Sequence, residues 1–269
     1  MHELSVFWLR AAAALYAIGL LHSIQVAIRK ESSLFRPALI SFAAGLVLHM
    51  VAIVENGRAA GAAFPAGFLN SVSLCAFLIA LLFLFVYWRY RIESLGVFVF
   101  PLVFAMTTAA ALNAPVTHWS SGSDRDTWLA VHIVLVLLGY AALLVTAFAA
   151  LLYLLQERQL KRKKSVRLLE RLPPLGTLDA LISGSLGFGF ILITLGVVTG
   201  GTWAYIESGG TAAGLGDPRM STALLTWAAC FLMVALRITA GWRGRKAALM
   251  AVTVVACSAA TWAFHYVRH

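Results

Sequence analysis

The chain has 269 residues, of which 61% are hydrophobic and only 12% charged. A water-soluble fold of this length needs far more polar surface, so the composition excludes one and points to an integral membrane protein. The net charge of +10 could fit a nucleic-acid binder, but its placement along the chain argues against nucleic acid as a partner.

Apolar runs of about 20 residues, long enough to cross a hydrocarbon core of ~30 Å, recur along the whole length. They cover roughly 5–28, 37–55, 68–88, 95–113, 128–155, 178–203, 221–240 and 246–264. These predict an all-α, polytopic membrane helix bundle of about eight spans. No linker or fixed-period repeat divides it, so 1–269 reads as a single integral-membrane domain. The first run has no basic leader and is interrupted by His22 and Gln25, which reads as an anchor and not as a cleaved signal.

The basic residues then fix an orientation. Fifteen of them lie in alternate loops: Arg29, Lys30 and Arg36; Arg89 and Arg91; seven between Arg158 and Arg171; and Arg243, Arg245 and Lys246. The other loops hold only Arg58, Arg125 and Arg219, with Arg268 at the tail. By the positive-inside rule both termini lie outside, and the basic loops face the cytoplasm and its anionic lipid. Arg237, near the inner end of the seventh span, reads as a snorkelling side chain and not as part of a buried ionic site.

After the fifth span, Pro173 and Pro174 stop any continuing helix, and Thr177 or Asp179 is placed to cap the next one. The sixth span is rich in glycine (Gly184, Gly187, Gly189, Gly196, Gly200 and Gly201), a composition that lets helix backbones approach closely in lipid. The segment 201–219, "GTWAYIESGGTAAGLGDPR", has five glycines and reads as an outer loop offering Trp203, Tyr205, Glu207 and Asp217 at the membrane surface. Pro218 suits the first turn of the seventh span. Cys75, Cys230 and Cys257 stand apart within apolar segments, with no CxxC pair for redox or zinc chemistry.

Five of the seven histidines (His2, His118, His132, His265 and His269) fall at predicted outer ends, while His22 and His49 lie within spans one and two. Imidazoles at a membrane surface can ligate haem iron, bind protons or bond across helices, and sequence spacing leaves all three open. No chain of intramembrane carboxylates appears, which disfavours a proton-driven transporter.

Three stretches taken in order resemble the cytochrome c assembly protein family, the haem-handling membrane proteins that include CcsA- and HemX-like members. They are "WLAVHIVLVLLGYAALLVTAFAALLYLLQERQLK" (128–161), "LPPLGTLDALISGSLGFGFILITLGVVTGGTWA" (172–204) and "GDPRMSTALLTWAACFLMVALRITAGWRGRKAAL" (216–249). The resemblance implies a haem platform on the outer side, with Trp203, Asp217 and Pro218 shaping it. It implies His132 and His265 as the iron ligands. His22 and His49, polar groups inside spans one and two, read as a secondary internal pair apart from the resemblance. The family loop carries more tryptophans and an Asp-Pro-Lys-Glu run, where this chain has Asp217-Pro218-Arg219-Met220. That difference is similar to the divergent HemX-like branch.

The implied function is haem carriage or delivery, not catalysis, in cytochrome c biogenesis or in support of haem biosynthesis. Its implied setting is a bacterial cytoplasmic membrane, and its implied partners are haem and other assembly proteins. A scaffold that binds no haem is the alternative of a different class, and a small-molecule transporter is a third.

Overall fold

A computed structural model describes residues 2–29, 35–60, 68–112, 123–162, 173–207 and 218–267. They form eight helices: α1 (His2–Arg29), α2 (Phe35–Ala60), α3 (Phe68–Tyr90), α4 (Gly96–Leu112), α5 (Ser123–Arg162), α6 (Leu175–Glu207), α7 (Pro218–Thr239) and α8 (Arg245–Val267). Of these, α1 to α7 are long and apolar enough to cross a membrane. In α8 most side chains from Cys257 onward lie outside the described residues. The all-α, multi-pass expectation is therefore met.

Two compact units divide the chain at residues 131 and 132, inside the continuous helix α5 and not at a linker.

In the first unit, α1 and α2 form an antiparallel pair closed by small residues. A Cβ placed on Gly45 would lie 2.9 Å from the Tyr16 ring, and one on Gly19 would lie 3.2 Å from the Ala38 carbonyl. A larger residue at Gly45 would force the Tyr16 ring to shift, and one at Gly19 would press on the Ala38 main chain. Towards the other end of this pair, Leu9, Ala52, Ala110 and Ala111 pack together with Trp8, which brings α4 against α1 and α2. Phe35, Phe42, Phe83 and Phe100 fill the space between α2, α3 and α4, with Phe42 and Phe100 stacked at 4.3 Å. Offset and edge contacts of this kind add to simple burial. Arg91 ends α3 with φ 55° and donates its N–H to the Tyr87 carbonyl at 2.8 Å, a left-handed cap made without glycine.

In the second unit, α5 and α6 run antiparallel along a seam of small residues. From one end to the other, Thr146 meets Ser185, Ala142 meets Gly189, Gly139 meets Ile193, Val136 meets Gly196 and His132 meets Gly200. Of the glycines predicted to allow close approach, Gly189, Gly196 and Gly200 do so on this seam, whereas Gly187 faces open space. Ideal Cβ atoms on Gly139, Gly196 and Gly200 would come within 2.7–2.8 Å of side chains across the seam. On another face of α6, Phe190 and Thr194 meet Trp227 of α7, whose indole N–H donates to Thr194 Oγ1 at 3.0 Å.

Two expectations at the opposite end of this unit are corrected. Neither Thr177 nor Asp179 caps α6, because the helix already begins at Leu175, and the N–H groups of Thr177 and Leu178 donate to the Pro174 carbonyl. Arg237 does not snorkel freely. Its Nη2 donates to Asp179 Oδ2 at 2.8 Å and to the Asp179 carbonyl at 3.1 Å, with the two side chains only 12% and 21% exposed. Asp179 Oδ1 also accepts the Gly244 N–H at 3.0 Å. A charge near a low-dielectric region is cheaper to hold against a fixed counter-charge than to extend into water, and Asp179 supplies one. Gly244 has φ +64°, and a Cβ there would lie 2.8 Å from the Tyr153 hydroxyl of α5. One turn thus joins all four helices of the unit.

Candidate functional site

The predicted ligand His132 sits near the start of α5, half-buried against α6. Its Nδ1 lies 3.0 Å from Thr199 Oγ1. That hydroxyl also lies 2.9 Å from the Leu195 carbonyl and 3.1 Å from the Gly196 carbonyl, both acceptors only. A hydroxyl has one proton to give, and two main-chain carbonyls and His132 Nδ1 lie within its reach. Where a carbonyl takes that proton, Thr199 accepts from Nδ1–H and Nε2 keeps its lone pair. That tautomer suits metal binding through Nε2, with the threonine holding Nδ1.

The ring has room for this pose only because residue 200 is glycine. A Cβ there would lie 2.7 Å from His132 Cε1. Trp203 follows Thr199 by four residues on α6, so both lie on the same side of that helix, one turn apart. Met220, near the start of α7, lies close enough to touch a Cβ on Gly201 at 3.2 Å. His132, Thr199, Gly200 and Trp203 are thus assembled at one end of the second unit.

Trp203 and Tyr205 lie in α6 and not in a loop, since the helix continues to Glu207. Two adjacent glycines weaken a helix by about 1 kcal/mol each. In lipid the penalty for unpaired backbone groups is larger, so the helix persists. Pro218 opens α7 as expected. Asp217 and residues 208–216 lie outside the described residues, as does the side chain of Pro218. His265 is a helical residue of α8 whose side chain lies outside the described set, together with those of His2 and Cys257. His118 and His269 lie wholly outside it.

His22 and His49 are not brought together. His22 Nδ1 faces the Ile18 carbonyl of its own helix at 2.8 Å. His49 is fully buried, with Nε2 2.9 Å from Ser73 Oγ and Nδ1 3.4 Å from the Tyr16 hydroxyl. In the α1–α2 pair, Gly19 is level with Ala38 to Phe42. At 1.5 Å of rise per residue, His22 and His49 are therefore about 18 Å apart along the axis. Among the described residues no three His, Cys, Asp or Glu side chains come together to hold a metal ion.

Sequence reasoning missed Thr199 and the role of Gly200. The available signal was a threonine four residues before Trp203, next to a glycine pair.

The cytochrome c assembly protein model matches residues 38–262. Curated relatives agree with it. The cytochrome c biogenesis protein CcsA of Guillardia theta is 29% identical over 192 residues, covering 64% of this chain and 63% of that protein. CcsA of Microcystis aeruginosa is 27% identical over 211 residues, covering 61% and 64%. CcsA of Prochlorococcus marinus (strain MIT 9215) is 32% identical over 148 residues, covering 48% and 47%. The chain thus spans just under two thirds, or less, of the length of these relatives. No solved structure matches. With the family model running through seven of the eight helices in full or in part, this chain is a multi-pass membrane protein of the cytochrome c assembly protein family.

Proposed function

We propose that this protein binds haem at the end of its second unit and carries or delivers it, in cytochrome c biogenesis or in support of haem biosynthesis. The observation that carries the reading is His132 at the end of the α5–α6 seam, with Nδ1 3.0 Å from Thr199 Oγ1; with the proton on Nδ1, Nε2 is the nitrogen for iron. Haem would supply an iron that imidazole nitrogen can ligate and an apolar ring that an indole can cover. Trp203, one turn beyond Thr199, is the indole for that ring.

His265 is the candidate second ligand. The Tyr153–Gly244 contact gives a common reference level. His132 precedes Tyr153 by 21 residues (153 − 132), and His265 follows Gly244 by 21 (265 − 244). Both are therefore about 31 Å along their helices from that contact. Asp217 and Pro218 would form the exit from the platform. The basic-loop asymmetry supports an outer-facing site with both termini outside, in a bacterial cytoplasmic membrane. The sparse tryptophans of 201–219 support the HemX-like branch and a handling role without catalysis. Other membrane proteins of haem or cytochrome assembly are the expected recipients.

The test is the absorption spectrum of the purified full chain after haem loading. Two neutral imidazoles give a six-coordinate, low-spin spectrum. His132→Ala should leave an open position that added imidazole refills. Protein that takes up no haem would leave the scaffold reading in its place.

A further inference from the structure

Where α6 begins and α7 ends, the second unit holds a cleft of about 680 Å³. Asp179, Arg237 and Arg243 line it, and Ser183, Gly184 and Gly187 of α6 extend it along that helix. From Asp179 to Gly187 the wall is about 12 Å long. Its charges do not cancel. Both Asp179 oxygens are engaged, Oδ2 by Arg237 and Oδ1 by the Gly244 N–H. One carboxylate therefore faces two guanidinium groups. Arg237 Nη1 has no hydrogen-bond partner, and Arg243 is exposed and makes no ion pair among the described residues.

The chemistry changes along the cleft. Past Ser183 its walls are glycine and aliphatic, with Gly184, Leu186, Gly187 and Val234. A Cβ added at Gly187 would meet nothing within 4 Å. A free phosphate uses only the charged end of such a site. The helices on both sides, α6 and α7, are long and apolar enough to cross the membrane, which aligns the long axis of the cleft with lipid chains.

We propose that this cleft binds an anionic phospholipid, with Arg243 and Arg237 on the headgroup phosphate and the Gly184–Gly187 face seating the first part of an acyl chain. Guanidinium groups pair with phosphate oxygens through charge-assisted hydrogen bonds. The glycines leave the width that a hydrocarbon chain needs. This site lies at the other end of the unit from His132 and is independent of haem.

The test is native mass spectrometry of the full chain in mild detergent, titrated separately with phosphatidylglycerol, phosphatidylcholine and inorganic phosphate. Phosphatidylglycerol should bind in preference to phosphatidylcholine, and Arg243→Ala should weaken it about tenfold. Gly187→Leu should abolish retention of the lipid without lowering the thermal stability, because the position opens on empty space. Wild-type phosphatidylglycerol binding in both variants would overturn the proposal. So would equal binding of the two lipids. Inorganic phosphate that displaces the lipid, and binds Gly187→Leu as well as wild type, would make this a free-phosphate site and overturn the lipid assignment.

Discussion

Replacing Gly200 by alanine tests the orientation of His132 with one methyl group. The new Cβ would lie 2.7 Å from His132 Cε1, while contacts under 3.0 Å force something to move. Reaching an ordinary contact of 3.4 Å requires the ring to retreat by about 0.7 Å (3.4 − 2.7), which would stretch the 3.0 Å bond from Nδ1 to Thr199 towards 3.7 Å, beyond hydrogen-bonding range. Losing that bond costs about 1 kcal/mol, and overpacking adds about 1–3 kcal/mol. Alanine returns about 1 kcal/mol through its better helix propensity. The fold should therefore lose only about 1–3 kcal/mol, while haem affinity falls ~10–100-fold, as when an outer hydrogen bond to a metal-ligating histidine is removed. Thr199→Val provides the matched case, because it removes the acceptor without adding bulk. The assay is a haem titration by absorbance beside a thermal melt of the same sample. Unchanged affinity and spectrum in both variants would refute the assigned tautomer and the role of His132.

Arg237→Ala should destabilise the protein by about 3 kcal/mol, because it strands Asp179 beside lipid. Arg237→Lys should cost about 1 kcal/mol, since one ammonium cannot make both bonds to Asp179. Thermal unfolding in detergent checks both, and a silent Arg237→Ala would show that the pair does not hold α6 to α7. His49→Ala should cost about 3 kcal/mol through the cavity and the unpaired Ser73 hydroxyl yet leave a haem spectrum unaltered. A spectral change there would give His49 a ligand role. Reporter fusions at residue 165 and at the C-terminus should report opposite sides of the membrane, and matching locations would overturn the orientation.

The spans were legible because each needs an apolar run that little else in a sequence imitates. Their ends were not. α5 continues to Arg162, well past its apolar run, and is supported there by a pair between Lys161 and Glu157 at 2.7 Å. α6 continues to Glu207 through glycines that weigh against helix in water. Close approach along the sixth span was readable from its small residues, but the partner helix was not. The pairing of His132 with Thr199 spans 67 positions, and that of Arg237 with Asp179 spans 58. No local pattern marks such contacts. That is why Arg237 read as a lone snorkelling charge and Asp179 as a cap. His132 itself was legible through its place in a family-like stretch, whereas the threonine beside its Nδ1 was not.

The most direct test of haem binding at His132 is the absorption spectrum of the haem-loaded full chain compared with that of His132→Ala. The account predicts a low-spin Soret band in the wild type. It predicts a high-spin or weakened band in His132→Ala, restored by added imidazole, and a comparable loss in His265→Ala. Haem bound with an identical spectrum in wild type and in the double variant His132→Ala, His265→Ala would contradict it.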